Sequence, residues 1–306
     1  MTDLRLLKWL FLTGFCAALS AADEKKAEQP EKLQDDPFEA LAEKARKSIV
    51  VIASADREGA RTGTGTGFVV REDGVIATNF HVIGKHRGFT IRFADGKTLE
   101  PTAILATDRN RDLALVKVEA KGLKPLPLGD SDTLKPGQGI LSIGTPLGLD
   151  FSVARGVVAA ERDVEGLDMI QVAVPIEPGS SGSPVLDLDG RVRGVISIKT
   201  SAAMGFAVPV NHLKSMLENI KPIPMKHWLT IGALDPGEWE VKMGGHWRQR
   251  AGRLIASGRG NGFGGRTLCI SKREAPEDKF SAEVEIRLED ESGAAGLAFY
   301  FDGKDT

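Results

Sequence analysis

Over most of this chain the apolar positions come in short runs rather than helical stripes. From Ile49 onward, GFVV, GVIAT, FTIRF, LALVKV, GILSIG, IQVAV, SPVLDL and GVISI follow one another closely. Asp-Gly turns at Asp73-Gly74, Asp95-Gly96 and Asp189-Gly190 separate several of them. Closely spaced short strands with turn punctuation predict a sandwich or barrel, and no strand–helix alternation points to a parallel βαβ sheet. Two segments carry a helical period instead. PFEALAEKARKS starts on a proline and spaces Phe38, Leu41 and Ala45 about a turn apart; NHLKSMLENI puts Leu213, Met216, Leu217 and Ile220 on one face.

The proline-containing stretch KPIPMKHWL reads as a boundary, with a linker over 223–231. Beyond it WEVKMGGHWRQRAGRLIASG, RTLCISK, FSAEVEIRL and AGLAFYF alternate again as strands, so residues 232–306 form a second β module. At the other end, Arg5 and Lys8 accompany the apolar run WLFLTGFCAALS, and small residues follow. That is the layout of a signal peptide over 1–22, cleaved near Ala22, and it implies export to the periplasm or beyond. A membrane anchor is the alternative, but the run falls short of the ~20 apolar residues a spanning helix needs. Residues 23–36, DEKKAEQPEKLQDD, are charged and nearly free of large apolar residues, as in a solvated linker. Cleavage removes Cys16 and leaves Cys269 alone, so no intrachain disulfide forms.

Charge narrows the function. Forty Lys+Arg against 42 Asp+Glu leave a net −2, which argues against nucleic-acid binding through bulk charge. The close glycines Gly63, Gly65 and Gly67 are no phosphate cradle, because a strand follows them where a helix would be required. No His, Cys or carboxylate spacing suggests a metal site, and no cofactor is expected.

Three segments carry chemistry together. ATNFHVI places His81 at the end of a strand, DRNRDLALVKV places Asp112 just before another, and EPGSSGSPV places Ser181 in a glycine-bounded turn. A serine hydroxyl needs an imidazole to accept its proton, and a carboxylate on the other ring nitrogen fixes the tautomer. Gly179 has the freedom to turn its N–H toward an oxyanion beside that of Ser181. Asp108, in the polar loop TDRNRD, reads as a turn residue.

Thr78-Asn79-Phe80-His81-Val82, Asp112-Leu113-Ala114 and Gly179-Ser180-Ser181-Gly182-Ser183-Pro184 resemble the histidine, aspartate and nucleophile motifs of the HtrA (Deg) family of chymotrypsin-like serine proteases. GTGTGFVV, SIGTPLGL, ARGVVAA and GFAVPVNHL extend the likeness over about residues 38–220. The resemblance implies two antiparallel β-barrels over 37–222; with the β module that follows, the expected chain is mainly β, a chymotrypsin-like double barrel and then a second module of β-sandwich kind, complete or incomplete. It implies catalytic His81, Asp112 and Ser181, and an oxyanion hole from Gly179 and Ser181. Substrate would be bound by Ile176, Ser197, Ile198 and Lys199. Ile176 would wall the primary pocket, Ser197 would contact the aspartate, and the strand VISIK would pair with the substrate. Apolar Ile176 and Ile198 favour small or medium aliphatic side chains over Lys or Arg. Two positions depart from the family pattern: Ser180 stands for an asparagine, and Ser183 for a glycine whose replacement distorts the loop if that site needs positive φ or close packing.

The expected function is thus an exported serine endopeptidase of unfolded or damaged proteins, in a family that commonly forms homotrimers. A catalytically silent scaffold that holds extended polypeptides is the rival from another class. The tail loosely resembles a concanavalin-like β-sandwich of the laminin-G or glucanase kind, leaving carbohydrate binding as a third reading; Trp239 and Trp247 serve equally as sugar platforms or core.

Overall fold

The computed structural model describes residues 37–55, 61–84, 88–145, 151–197 and 205–274, and beyond these only positions 284, 286, 288 and 294–296. The segments read as signal peptide and charged linker, together with Ile198 and Lys199, lie outside the described residues, as do FSAEVEIRL and AGLAFYF apart from those positions.

Two β lobes follow a leading helix α1 (Pro37–Arg46). The first contains β1 (Ile49–Ala55), β2 (Arg61–Arg71), β3 (Val75–Thr78), a one-turn helix α2 (Phe80–Gly84), β4 (Gly88–Phe93), β5 (Thr98–Leu99), β6 (Pro101–Asp108) and β7 (Leu113–Val118). The second contains β8 (Gly139–Gly144), β9 (Ser152–Val164), β10 (Leu167–Ala173), β11 (Pro184–Leu186), β12 (Val192–Ser197) and β13 (Gly205–Pro209), and ends in α3 (Val210–Glu218). The second lobe closes as a six-stranded antiparallel barrel in the order β10-β13-β12-β11-β8-β9. In the first, the antiparallel order β6-β7-β3-β2-β1-β4-β5 curls around one core, since Ile91 of β4 and Ile104 of β6 meet in the same cluster. This is the chymotrypsin-like β fold that the resemblance predicts, within the sandwich-or-barrel class that the strand pattern predicts.

Continuous apolar runs arise because these strands are buried on both faces. Along LALV, Leu113 and Leu115 enter the core between the lobes while Ala114 and Val116 enter the core of the first lobe. Phe68, Val69 and Val70 alternate in the same way, and Ile140 and Leu141 divide between the second lobe's own core and the shared one. The shared core joins Ile49, Phe68 and Leu115 to Leu141, Ile143, Leu186 and Val195, and Ala45 of α1 and Leu213 of α3 seal it.

Residues 223–229 are not a free linker. Ile223–Pro224 form β14, which pairs with β6, and α4 (Met225–Leu229) drives Trp228 into the first lobe's core at 4% exposure. The proline pair reads as a boundary, yet Pro224 occupies the N-cap position of α4, where its fixed φ suits a helix start. Farther on, β15 (Ile231–Ala233), β17 (Gly244–Arg250) and β18 (Arg253–Gly260) make a three-stranded sheet, and β16 (Trp239–Lys242) pairs with β19 (Leu268–Ser271). Trp239 and Trp247 are each half-buried, and the Trp247 indole N–H donates to Thr267 Oγ1 at 2.6 Å. Half-buried Cys269 has its thiol pushed up by burial, as befits a packed rather than reactive sulfur.

Candidate active site

β3 and β7 are neighbours, with Thr78 opposite Ala114. Their ends therefore set the residues that follow β3 beside the residue that precedes β7, which brings His81 to Asp112. Asp112 takes a left-handed φ of 60°, a shape that costs a non-glycine residue roughly 1–2 kcal/mol. Hydrogen bonds hold it there: the Asp112 carbonyl accepts from Phe80 N at 3.1 Å and from Asn79 Nδ2 at 2.9 Å. Its carboxylate accepts from His81 N at 2.9 Å on Oδ1, and on Oδ2 meets His81 Nδ1 at 2.7 Å and the Ser197 hydroxyl at 2.9 Å. Burial on its own pushes the Asp112 carboxyl up, but the His81 and Ser197 hydrogen bonds and the charge of His81 outweigh it and hold the group below the usual carboxylate range. Asp108 has the turn role instead, accepting from Arg111 N at 2.9 Å.

Ser181 lies in the turn between β10 and β11, with 5% exposure. Gly179 and Gly182 have φ of 101° and 86°, open to glycine without strain. Around Ser181 the backbone N–H groups divide into two sets. Ser180 N donates to Glu177 O, Gly182 N to Ile196 O and Ser183 N to Ser180 O, whereas the N–H groups of Gly179 and Ser181 have no acceptor among the described residues. Ser180 also closes its own turn, its hydroxyl accepting from Glu177 N at 3.3 Å. No hydrogen bond joins the Ser181 hydroxyl to His81 among the described residues. The two segments meet through their supports: a Cβ at Gly182 would stand 2.6 Å from Thr78 Oγ1, just ahead of the histidine.

Ser183 does not distort the turn. It lies outside the left-handed region, and its side chain is fully buried in space that Gly144 leaves open, since a Cβ there would lie 2.5 Å from Ser183 Oγ. The cost is a buried hydroxyl without a partner among the described residues. Ser183→Ala should therefore raise stability by about 1 kcal/mol, a Tm gain of roughly 3 °C, with the cleavage rate unchanged. Thermal unfolding paired with a peptidase assay checks this; a fall in Tm would show that the hydroxyl does have a partner.

Ile176 is half-buried against Val172, and its side chain crosses the open face of Gly205, where a Cβ would stand 2.4 Å from Ile176 Cδ1. These three apolar residues make an aliphatic wall beside the turn; the sequence pointed to Ile176 but not to Gly205, whose part depends on a contact across the barrel. Asn79, Thr66, Thr78 and Thr145 also support the site without a signal of that role in the sequence. All four are fully buried, which for polar residues is the signal of a hydrogen-bonded role, but burial is invisible in a Gly/Thr-rich strand read alone.

An imidazole tied through one ring nitrogen to a carboxylate keeps the other free to take a proton, and paired free N–H groups can receive negative charge on an oxygen. The described residues contain no cluster able to hold a metal ion. Residues 65–195 match the family described as the trypsin-like peptidase domain. A probable periplasmic serine endoprotease, DegP-like, of Marinomonas sp. (strain MWYL1) is 38% identical over 174 residues, covering 54% of this chain and 37% of that protein. Serine protease HTRA2, mitochondrial, of Drosophila pseudoobscura pseudoobscura is 35% identical over 164 residues (50% of this chain, 38% of the relative). Serine protease HTRA1 of Xenopus tropicalis is 37% identical over 163 residues (50% and 35%). The chain thus spans little more than a third of the length of these curated relatives. Over about half of its length, and through a segment that matches the trypsin-like peptidase domain, the chain is thus similar to serine proteases of the HtrA and DegP-like kind.

Proposed function

We propose that the protein is an exported serine endopeptidase that cleaves unfolded or damaged proteins through an acyl-enzyme. The observation that carries this reading is the chain Ser197–Asp112–His81 together with a turn in which the N–H groups of Gly179 and of Ser181 itself have no acceptor among the described residues. Ser181 Oγ attacks the scissile carbonyl carbon and passes its proton to His81 Nε2. The carbonyl oxygen takes up the negative charge and is held by the N–H groups of Gly179 and Ser181. His81 then returns the proton to the leaving amine, and water, activated by the same imidazole, releases the acyl group. Asp112 keeps the His81 Nδ1 proton in place throughout and needs no cofactor to do so.

Apolar Ile176, Val172 and Gly205 support small or medium aliphatic side chains before the cleaved bond. In the same reading the segment VISIK, of which Ile198 and Lys199 lie outside the described residues, pairs with the substrate backbone. Export rests on the leader-like first 22 residues and on relatives named periplasmic endoproteases.

Casein digestion, followed by a peptide series varied at that side chain, tests both halves. Cleavage is expected, with Ala, Val or Leu favoured over Lys or Arg by about tenfold or more. A folded protein that leaves casein intact would instead support a silent scaffold that holds polypeptides.

A further inference from the structure

We propose that Thr66 is a positioning residue that fixes the nucleophile turn, and with it the two oxyanion N–H groups, against the lobe that carries His81 and Asp112. The role in catalysis rests on the endopeptidase reading above.

Thr66 sits in β2 where pairing with β3 has already stopped, the last partners on that side being Phe68 and Ala77. Its backbone on that edge is left without a strand partner, yet the residue is fully buried. The second lobe and one hydroxyl take up what β3 does not reach. Thr66 N donates to Ser181 O at 2.8 Å, and Thr66 O accepts from Thr78 Oγ1 at 2.7 Å, three residues before His81. The side chain adds a further set: Thr66 Oγ1 donates to Gly179 O at 2.8 Å and accepts from Thr145 N at 3.0 Å. A hydroxyl has one proton and two lone pairs, so with the proton on Gly179 O the contact to Thr145 Oγ1 at 3.1 Å is one in which Thr145 donates.

One first-lobe residue therefore ties the carbonyls of both Gly179 and Ser181, which lie in the second lobe. With the peptides on either side of Ser180–Ser181 anchored at their oxygens, the peptide bearing the Ser181 N–H has little room to rotate. Gly182 completes the fit, since a Cβ there would fall 2.0 Å from Thr66 O. Because the nucleophile and the base belong to different lobes, a strut between the lobes governs how the catalytic groups meet, and small misplacements of such groups cost heavily in rate.

Thr66→Val keeps shape and removes the hydroxyl; Thr66→Ser keeps the hydroxyl. In the full chain, T66V should lower kcat on a peptide substrate about 100-fold, on the scale of a lost oxyanion donor, with KM changed less than about threefold. T66S should stay within about fivefold of wild type, and affinity for a peptidyl boronate, which mimics the tetrahedral state, should fall for T66V in step with kcat/KM. Amide hydrogen exchange of residues 179–183 should quicken in T66V and not in T66S, a readout that needs no turnover. Wild-type kcat in T66V would overturn the proposal. So would equal losses in T66V and T66S carried by KM and Tm, which would make Thr66 a packing residue only, or unchanged exchange in T66V. Faster exchange in T66V with an inactive wild type would uphold the strut and overturn the endopeptidase reading instead.

Discussion

Ser181→Ala should lower kcat/KM on unfolded casein by about 10⁶-fold, the scale set by nucleophile removal in other serine proteases. The change deletes one oxygen. It leaves the Ser181 carbonyl on Thr66 N and the Gly182 N–H on Ile196 O, so the turn that shapes the site is untouched. The free N–H groups of Gly179 and Ser181 persist, and a residual rate above that in water is expected from them. Initial rates on protein prepared free of wild-type contamination, beside an unchanged thermal unfolding curve, read this directly. Undiminished cleavage in the variant would assign the activity to another group.

Asp112→Asn should cost about 10⁴-fold in kcat. The carboxylate serves two sides at once, accepting from His81 N on Oδ1 and facing both His81 Nδ1 and Ser197 Oγ with Oδ2. An amide offers one acceptor oxygen and one donor NH₂. With its oxygen toward Nδ1, the NH₂ faces the His81 N–H; with the amide reversed, Nδ1 must accept, and the ring proton moves to Nε2, where Ser181 needs a base. Either orientation fails. The same residue links stability to pH: its pKa is lowered in the fold from an ordinary 3.8, so its contribution is present above that value and is lost as pH falls through the folded one. Wild type and D112N should therefore differ in stability at neutral pH and converge in strong acid, as denaturant titrations at several pH values would record.

Much of this was legible in the sequence because it is local. Asp-Gly turns and the short runs between them mark strands; the aspartate directly precedes a strand and the serine sits in a glycine turn, while the histidine, read at a strand's end, stands three residues past β3 in the one-turn helix α2. Continuous runs such as LALV are ambiguous by period alone; the fold resolves them by sending alternate residues into two different cores. What escaped is non-local. Whether Ser183 suits the loop is open in the sequence because its fit depends on space left by Gly144 on another strand. Residues 223–231 read as a linker because prolines punctuate chains, while Trp228, the residue that anchors 223–229, gains its meaning from the Phe80 ring 6.3 Å away in edge contact. Thr66 is one threonine in a run of glycines and threonines, and only the second lobe's approach makes it a junction.

Labelling with a fluorophosphonate, followed by mass mapping of the modified residue, tests the central claim most directly. The reagent phosphonylates a serine whose proton a neighbouring base removes and whose oxyanion the backbone holds. The account predicts an adduct on Ser181 in the folded wild type and its loss in His81→Ala. An adduct elsewhere, or none on a folded wild-type protein, would contradict it.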